Sequence, residues 1–227
     1  MSDFGILLSV GSGQPFITPV SVPMSMKSKV VANSSSVSGG SQSAVISIPW
    51  DNTWPAMIFV RSNVAGTILG TSKKNGVLSA SGANISGNAF TLTAYFFGIF
   101  PQSAPAWGLC VWDAAGNVVL SNETRVLSDL VTVGDPSIAS QSGVGMDITL
   151  GGAYAVCPVI HGSTLFQNTN AGTGQPIIVN VEGRTSAAFN GSTTRFTAAP
   201  TQYPGGNPVG YTDTRCTLVA INTSAYD

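Results

Sequence analysis

The sequence predicts an all-β chain: antiparallel β-sandwiches joined by long Gly/Ser-rich loops, with little or no helix. Three observations carry this. Strand signals recur roughly every ten residues, each bounded by Gly, Pro, Asn or Ser. No long window places apolar side chains at the period of about 3.6 residues that an amphipathic helix requires. Helix formers are scarce: Lys and Glu are few, while Gly numbers 26 and Pro 13 among 227 residues, and Ser, Thr and Asn, which compete with the helical backbone for hydrogen bonds, are plentiful. Hydrophobic residues make up 43% of the chain, enough to fill a core, so the polar composition does not read as disorder.

The predicted strands run, in order, over residues 4–10, 16–22, 44–48, 56–61, 90–97, 108–112, 118–120, 126–133, 146–150, 154–160, 177–182, 193–197 and 215–221. In Val45-Ile46-Ser47-Ile48 and Phe90-Thr91-Leu92-Thr93 every second side chain faces one side, the period of a half-buried strand. Residues 33–43, a Ser/Gly-rich stretch, read as a long flexible loop or a segment that orders on assembly. Gly134-Asp135-Pro136-Ser137, followed by Ser140 to Gly143, is the best domain boundary. It divides the chain into a β-sandwich over 1–135 and a β domain over 136–227, with a single domain as the alternative. Pro204-Gly205-Gly206-Asn207-Pro208 reads as an exposed excursion before the last strand. One internal similarity stands out. Phe4-Gly5-Ile6-Leu7-Leu8 with Gly13 and Phe16-Ile17, and Trp107-Gly108-Leu109-Cys110-Val111 with Gly116 and Val118-Val119, both read as aromatic, Gly, strand, Gly turn, strand. Each is a β-hairpin pattern, and in the second Asp113 is placed to bond the turn backbone while Gly116 supplies positive φ.

Charge excludes some function classes. Charged residues are 8% of the chain, against about 25% in an ordinary soluble domain. The net charge of -1 leaves no excess to hold a polyanion, so no nucleic-acid partner is expected. No apolar run reaches the roughly 18 residues of a membrane span, and the first residues lack the basic and apolar regions of a signal peptide. Cys110, Cys157 and Cys216 are odd in number and far apart, which suits buried thiols made in a reducing cytoplasm rather than a disulfide framework.

Catalytic machinery is not expected either. His161 is the one histidine. It has no acidic residue within ten positions, and Cys157 stands about 13 Å away on an extended strand. No Cys/His spacing suits a metal, Asp113 to Asn117 supplies one carboxylate where calcium needs several, and Gly11-Ser12-Gly13 leads into a strand, not a helix, so it is no phosphate loop. The chain reads as a non-enzyme without a cofactor. Its candidate binding or interface residues are tryptophans. Trp50 and Trp54 flank a polar turn in Pro49-Trp50-Asp51-Asn52-Thr53-Trp54-Pro55; exposed they make a sugar platform or a protein hot spot, buried they plug one end of a sandwich. Trp107 and Trp112 lie in the second hairpin at odd separation, so one of them meets solvent or a neighbour; Trp112 joins the candidates.

The segment Trp107-Gly108-Leu109-Cys110-Val111-Trp112-Asp113-Ala114-Ala115-Gly116-Asn117-Val118-Val119-Leu120-Ser121 resembles a recurring stretch of the small β-rich tail-tip and tail-fibre-associated structural proteins of long-tailed bacteriophages. The Asp3-Phe4-Gly5-Ile6 opening and Arg125 fit the same pattern; Cys110 and Ser121 depart from it. The resemblance covers about 25 residues around this hairpin and carries no catalytic residue, and the chain after 136 lies outside it. It implies a virion structural protein, made in the host cytoplasm, multi-copy or homo-oligomeric, with other phage tail proteins as partners and the host surface as a further contact. Capsid decoration, receptor binding and a non-viral carbohydrate-binding sandwich are the alternatives that the composition also suits.

Overall fold

In the strand Val77–Asn84 every second residue, Leu78, Ala80, Gly82 and Asn84, is buried, and the residues between them are half-buried. That alternation, repeated along the chain, builds an all-β structure. A computed structural model describes residues 8–9, 15–17, 22–113, 115–137, 146–215 and 217–227, the first two segments by backbone alone. Most of the predicted strands over 4–10 and 16–22, residues 138–145 beside the proposed boundary, and Cys216 lie outside these residues.

The strands are β1 (Leu8–Ser9), β2 (Pro15–Ile17), β3 (Ser25–Asn33), β4 (Ser35–Ser36), β5 (Gln42–Pro49), β6 (Ala56–Ser62), β7 (Ile68–Lys74), β8 (Val77–Asn84) and β9 (Thr91–Gly98). They continue with β10 (Cys110–Trp112), β11 (Val118–Ser121), β12 (Leu130–Val133), β13 (Asp147–Gly151), β14 (Tyr154–Cys157) and β15 (Ile160–Thr169). The last are β16 (Pro176–Phe189), β17 (Thr193–Pro200), β18 (Asn207–Asp213) and β19 (Leu218–Asn222). An eleven-stranded sheet follows the path β12-β19-β14-β6-β16-β15-β18, with β9 and then β3 branching from β6, and β17 and then β13 from β16. Its pairs are antiparallel except for one parallel contact, Ser62 with Ala188. A four-stranded sheet, β4-β5-β8-β7, packs on it, and β1-β2 and β10-β11 are separate hairpins. Within the two segments noted as similar, Leu8–Ser9 pairs antiparallel with Pro15–Ile17 and Cys110–Trp112 with Val118–Ser121; Phe4 to Leu7 and Gly13 lie outside the described residues. Strands from either side of position 136 pair in the same sheet, and one apolar cluster joins Ile46, Leu78, Val60 and Phe96 to Phe196 and Leu218.

β6 and β9 are covered on both faces. Ile58, Val60, Ala94 and Phe96 point into the space between the sheets, while Phe59, Tyr95 and Phe97 point the other way, against Ile221 and Tyr226. Two buried faces explain why Ile58-Phe59-Val60 and Ala94-Tyr95-Phe96-Phe97 are continuous apolar runs, not alternating ones.

Some expectations are corrected. Residues 33–43 are not a long loop: β3 turns through β4 and a 3-10 turn at Ser38–Gly40 into β5. Gln42 ties the turn by accepting from Ser34 Oγ (3.1 Å) and donating to Ser36 Oγ (2.8 Å). The strand expected over 154–160 breaks before and after Pro158, whose nitrogen has no hydrogen to donate to a ladder. Cys157 and His161 thus belong to different strands. β3, β4, β7, β8, β15 and β18 were not foreseen.

The residues after β19 fold back over the second apolar face. Tyr226 is buried against Phe97, and Asp227 takes Lys29 (2.9 Å) and Arg61 (3.1 Å) as ion partners. It also accepts hydrogen bonds from Tyr95 Oη (2.5 Å) and Thr223 Oγ1 (2.8 Å). Partial burial works against the Asp227 carboxylate, but the bonds from Tyr95, Lys29 and Thr223 prevail and hold its pKa at about 2. Burial first, and then the bond to Asp227, push the Tyr95 phenol up. A carboxyl whose folded pKa lies below its ordinary 3.8 contributes stability above that value and loses it as pH falls through about 2. The stability gap between the wild type and Asp227→Asn is therefore expected to be full at pH 7 and to shrink between pH 4 and pH 2. Urea midpoints measured across that range check this; a gap that does not change with pH contradicts it.

Candidate interaction surface

The β10–β11 hairpin is built around one carboxylate. Asp113 accepts from the backbone N–H of Ala115 (2.9 Å) and Asn117 (2.8 Å) and from the Asn117 amide (2.9 Å). Gly116 closes the turn at φ 85°. Chiefly through the Asn117 side chain, these bonds hold the Asp113 carboxyl below its usual range. At the base, Gly108 has φ 116° and packs on Asn122, where a Cβ would collide with the amide. Val119, Leu120 and Ser121 of β11 are buried.

β10 and the three residues before it present large side chains to solvent: Trp107 is 79% exposed, Leu109 52% and Trp112 56%. Trp107 precedes the strand and a register shift separates Val111 from Trp112, so the alternation on which the odd-separation argument rested does not link the two tryptophans, and both are exposed. Tryptophan is mostly buried in folded chains, and exposed apolar groups gathered on one element mark interaction surfaces.

Trp50 and Trp54 do not join this surface. Trp50 is 5% exposed. Its ring meets Trp54 edge-on at 5.6 Å and Phe100 at 5.7 Å, and its Nε1–H donates to the Trp54 carbonyl at 3.2 Å. Gly98 leaves room for the indole; a Cβ there would run into the ring and the Pro55 carbonyl. Trp54 is half-buried against the same cluster. Of the two roles considered for this pair, the chain uses Trp50 as a plug.

His161 is buried, its Nε2 is 3.1 Å from Thr185 Oγ1, and burial depresses its pKa against the opposing pull of Asp213. Burial raises the Cys157 thiol. Among the described residues no three His, Cys, Asp or Glu side chains gather as a metal site, and no helix is long and apolar enough to cross a membrane.

A second surface was not foreseen. The outer part of β15, the first half of β16, and β18 form a three-stranded arm. The β17 pairing with β16 ends at Pro200 opposite Gly183. The chain then crosses the arm as a strap. It is stitched by Thr201 N–H to the Glu182 carbonyl (3.0 Å), Gln202 Nε2 to the Asn180 carbonyl (3.3 Å) and Asn168 Nδ2 to the Pro204 carbonyl (2.8 Å). Beneath the strap lies a hollow of about 510 Å³, floored by Phe166 and Val181 and rimmed by Pro200 and Tyr203. Ile177, Ile178, Tyr203, Val209 and Tyr211 are exposed. The signal that would have found the arm is compositional: 162–181 and 196–212 contain no Lys, Arg, Asp or Glu.

Comparison of the chain with protein-family models, with curated proteins and with solved structures finds no match.

Proposed function

We propose that the chain is a structural component of a bacteriophage virion, a tail-tip or tail-fibre-associated protein that assembles with other tail proteins. The observation that carries this reading is the exposed trio Trp107, Leu109 and Trp112 on the Asp113-clamped hairpin, the segment whose sequence resembles that protein group. The low charge supports it too: a surface of hydroxyls, amides and aliphatics loses little hydration energy when a neighbour covers it. Capsid decoration, receptor binding and carbohydrate recognition are the competing occupants of the same aromatic surface.

The test is the double variant Trp107→Ala/Trp112→Ala in a phage carrying this chain. Interface tryptophans of this kind each contribute about 2 kcal/mol or more, roughly thirtyfold in affinity. The variant is expected to fold with an unchanged melting curve and to be lost from purified particles, which lack a tail feature in an averaged map. Normal incorporation of the variant, or density for the chain on the capsid, overturns the tail reading. Retention of tryptophan-dependent glycan binding by an isolated, particle-independent protein favours the carbohydrate module.

A further inference from the structure

The geometry points to a saccharide-binding site beneath the strap: the hollow on the arm takes one or two rings of a neutral sugar, stacked on Tyr203 and Phe166. The site is separate from the tryptophan hairpin and does not rest on the tail reading.

Alternation sets which side chains reach the hollow. Val181 pairs with Thr164, and Phe166 stands two residues further along β15, so all three share one face of the arm. Tyr211 pairs with Thr164 from β18 and stands exposed on that face as well. The strap closes over this face. Asn168, two residues beyond Phe166, holds the Pro204 carbonyl, and Val181 beneath the strap is 4% exposed. Gly206 lies so close that a Cβ there would run into the Asn168 side chain and the Gln167 carbonyl. Tyr203, by contrast, stands at the mouth and is 70% exposed. The hollow is thus formed before any ligand arrives, so little ordering opposes binding. Its volume of about 510 Å³ falls within the roughly 300–1,000 Å³ of small-ligand sites.

Charge and polarity select the ligand. Glu182 borders the hollow, but it follows Val181 in β16, so its carboxylate stands on the opposite face. There Arg184 holds Oε2 through Nε at 2.8 Å and Nη2 at 2.7 Å. Among the described residues no other charged side chain lines the hollow, so a charged ligand would give up its water without gaining a counter-charge. A hydrocarbon fits no better. Gln202 Nε2 is spent on the Asn180 carbonyl, while Gln202 Oε1 and Tyr203 Oη make no hydrogen bond to a described residue; an alkyl chain over them would strip their water and return no bond. An extended peptide finds no edge to extend. β15 is paired with both β16 and β18, and β16 with β15 and β17, a ladder that the Thr201 N–H continues to the Glu182 carbonyl.

A neutral sugar meets each of these features. The C–H face of a pyranose ring is apolar and weakly electropositive, and it suits the electron-rich face of an aromatic ring. Phe166 in the floor and Tyr203 at the mouth supply two such rings. The hydroxyls around the sugar both donate and accept, as the Tyr203 hydroxyl does, and they can donate to Gln202 Oε1. The apolar body of the ring then lies inward against Val181, Ala198 and Pro200, and its hydroxyls face the mouth.

Saturation-transfer NMR and calorimetric titration of the purified full chain read the outcome, with maltose, cellobiose, lactose and N-acetylglucosamine as neutral probes and glucuronate and hexanol as charged and hydrocarbon probes. At least one neutral sugar is expected to bind with a Kd below about 10 mM. Tyr203→Ala removes an exposed ring and is expected to weaken that binding about tenfold. Ala198→Phe fills the hollow that Ala198 lines and is expected to abolish it. Circular dichroism melts identify which variants are folded, and the exposed position of Tyr203 keeps the first variant informative if the second is not. Absence of binding by every neutral sugar, tighter binding of glucuronate or hexanol than of any sugar, or sugar binding that either folded variant leaves unchanged overturns the inference. Trp107→Ala/Trp112→Ala is expected to bind sugar as the wild type does; loss of binding in that variant puts the sugar on the hairpin and also overturns the inference. Failure of the tail reading leaves this site untouched.

Discussion

Trp50→Ala is expected to lower the unfolding free energy by about 3–5 kcal/mol, the range for removing a buried large aromatic. The site has little means of collapsing around the loss. The indole sits between Trp54 and Phe100 in edge-on contacts at 5.6 and 5.7 Å, and Gly98, which has no side chain to move inward, lies beneath it. The Trp54 carbonyl would also lose the indole N–H that it accepts at 3.2 Å. Trp107→Ala removes the same side chain from a site that is 79% exposed and is expected to change stability by no more than about 0.5 kcal/mol. Urea unfolding of both variants gives the comparison. Similar losses at the two positions would contradict the division into a structural and a surface tryptophan.

Tyr226→Ala is expected to cost a similar amount, about 3–5 kcal/mol. Its ring lies edge-on to Phe97 at 5.0 Å, and its hydroxyl accepts from the Ser128 N–H at 2.7 Å and donates to the Val126 carbonyl at 2.9 Å. It therefore fastens the residues after β19 to the stretch leading into β12. Tyr226→Phe keeps the ring and strips the two hydrogen bonds, leaving Ser128 N–H without this acceptor, for an expected loss of about 1–3 kcal/mol. Thermal melts at pH 7 should rank wild type above Phe above Ala; a Phe variant as unstable as the Ala variant would place the whole effect in the hydroxyl.

Where burial is one-sided and the apolar residues are large, as in β5 with Ala44 and Ile46 inward, the strand was legible in the sequence. β8 was missed because its inward positions are Leu78, Ala80, Gly82 and Asn84: the period is right, but small side chains give a weak apolar signal. β18 was read as a loop because Pro208 and the glycines before it are turn residues, yet Pro208 sits in a strand that borders solvent on its outer side. The fates of the tryptophans were legible only in part: a plug was one of two roles open to Trp50 and Trp54, and exposure was expected for one tryptophan of the second hairpin, but what decides Trp50 is its packing on Phe100 and over Gly98, which the sequence places well beyond it. The arm escaped notice for a related reason: its significance is a missing kind of residue, and absence of charge has no local pattern.

The central strand β6 touches β9 soon after it in the chain, but its other edge is completed by β14 and β16. The Ser62 hydroxyl donates to the Ala187 carbonyl, 125 residues on. On a ribosome moving at about 5–20 residues per second, that partner arrives roughly 6–25 s later. For that interval a strand with the apolar run Ile58-Phe59-Val60 has one bare edge, and closing so long a loop adds its own entropic delay. The last ladder, β19 between β12 and β14, locks the sheet only when residue 222 has emerged. For β6, synthesis is thus a period of exposure that lasts until β14, β16 and β19 have been made.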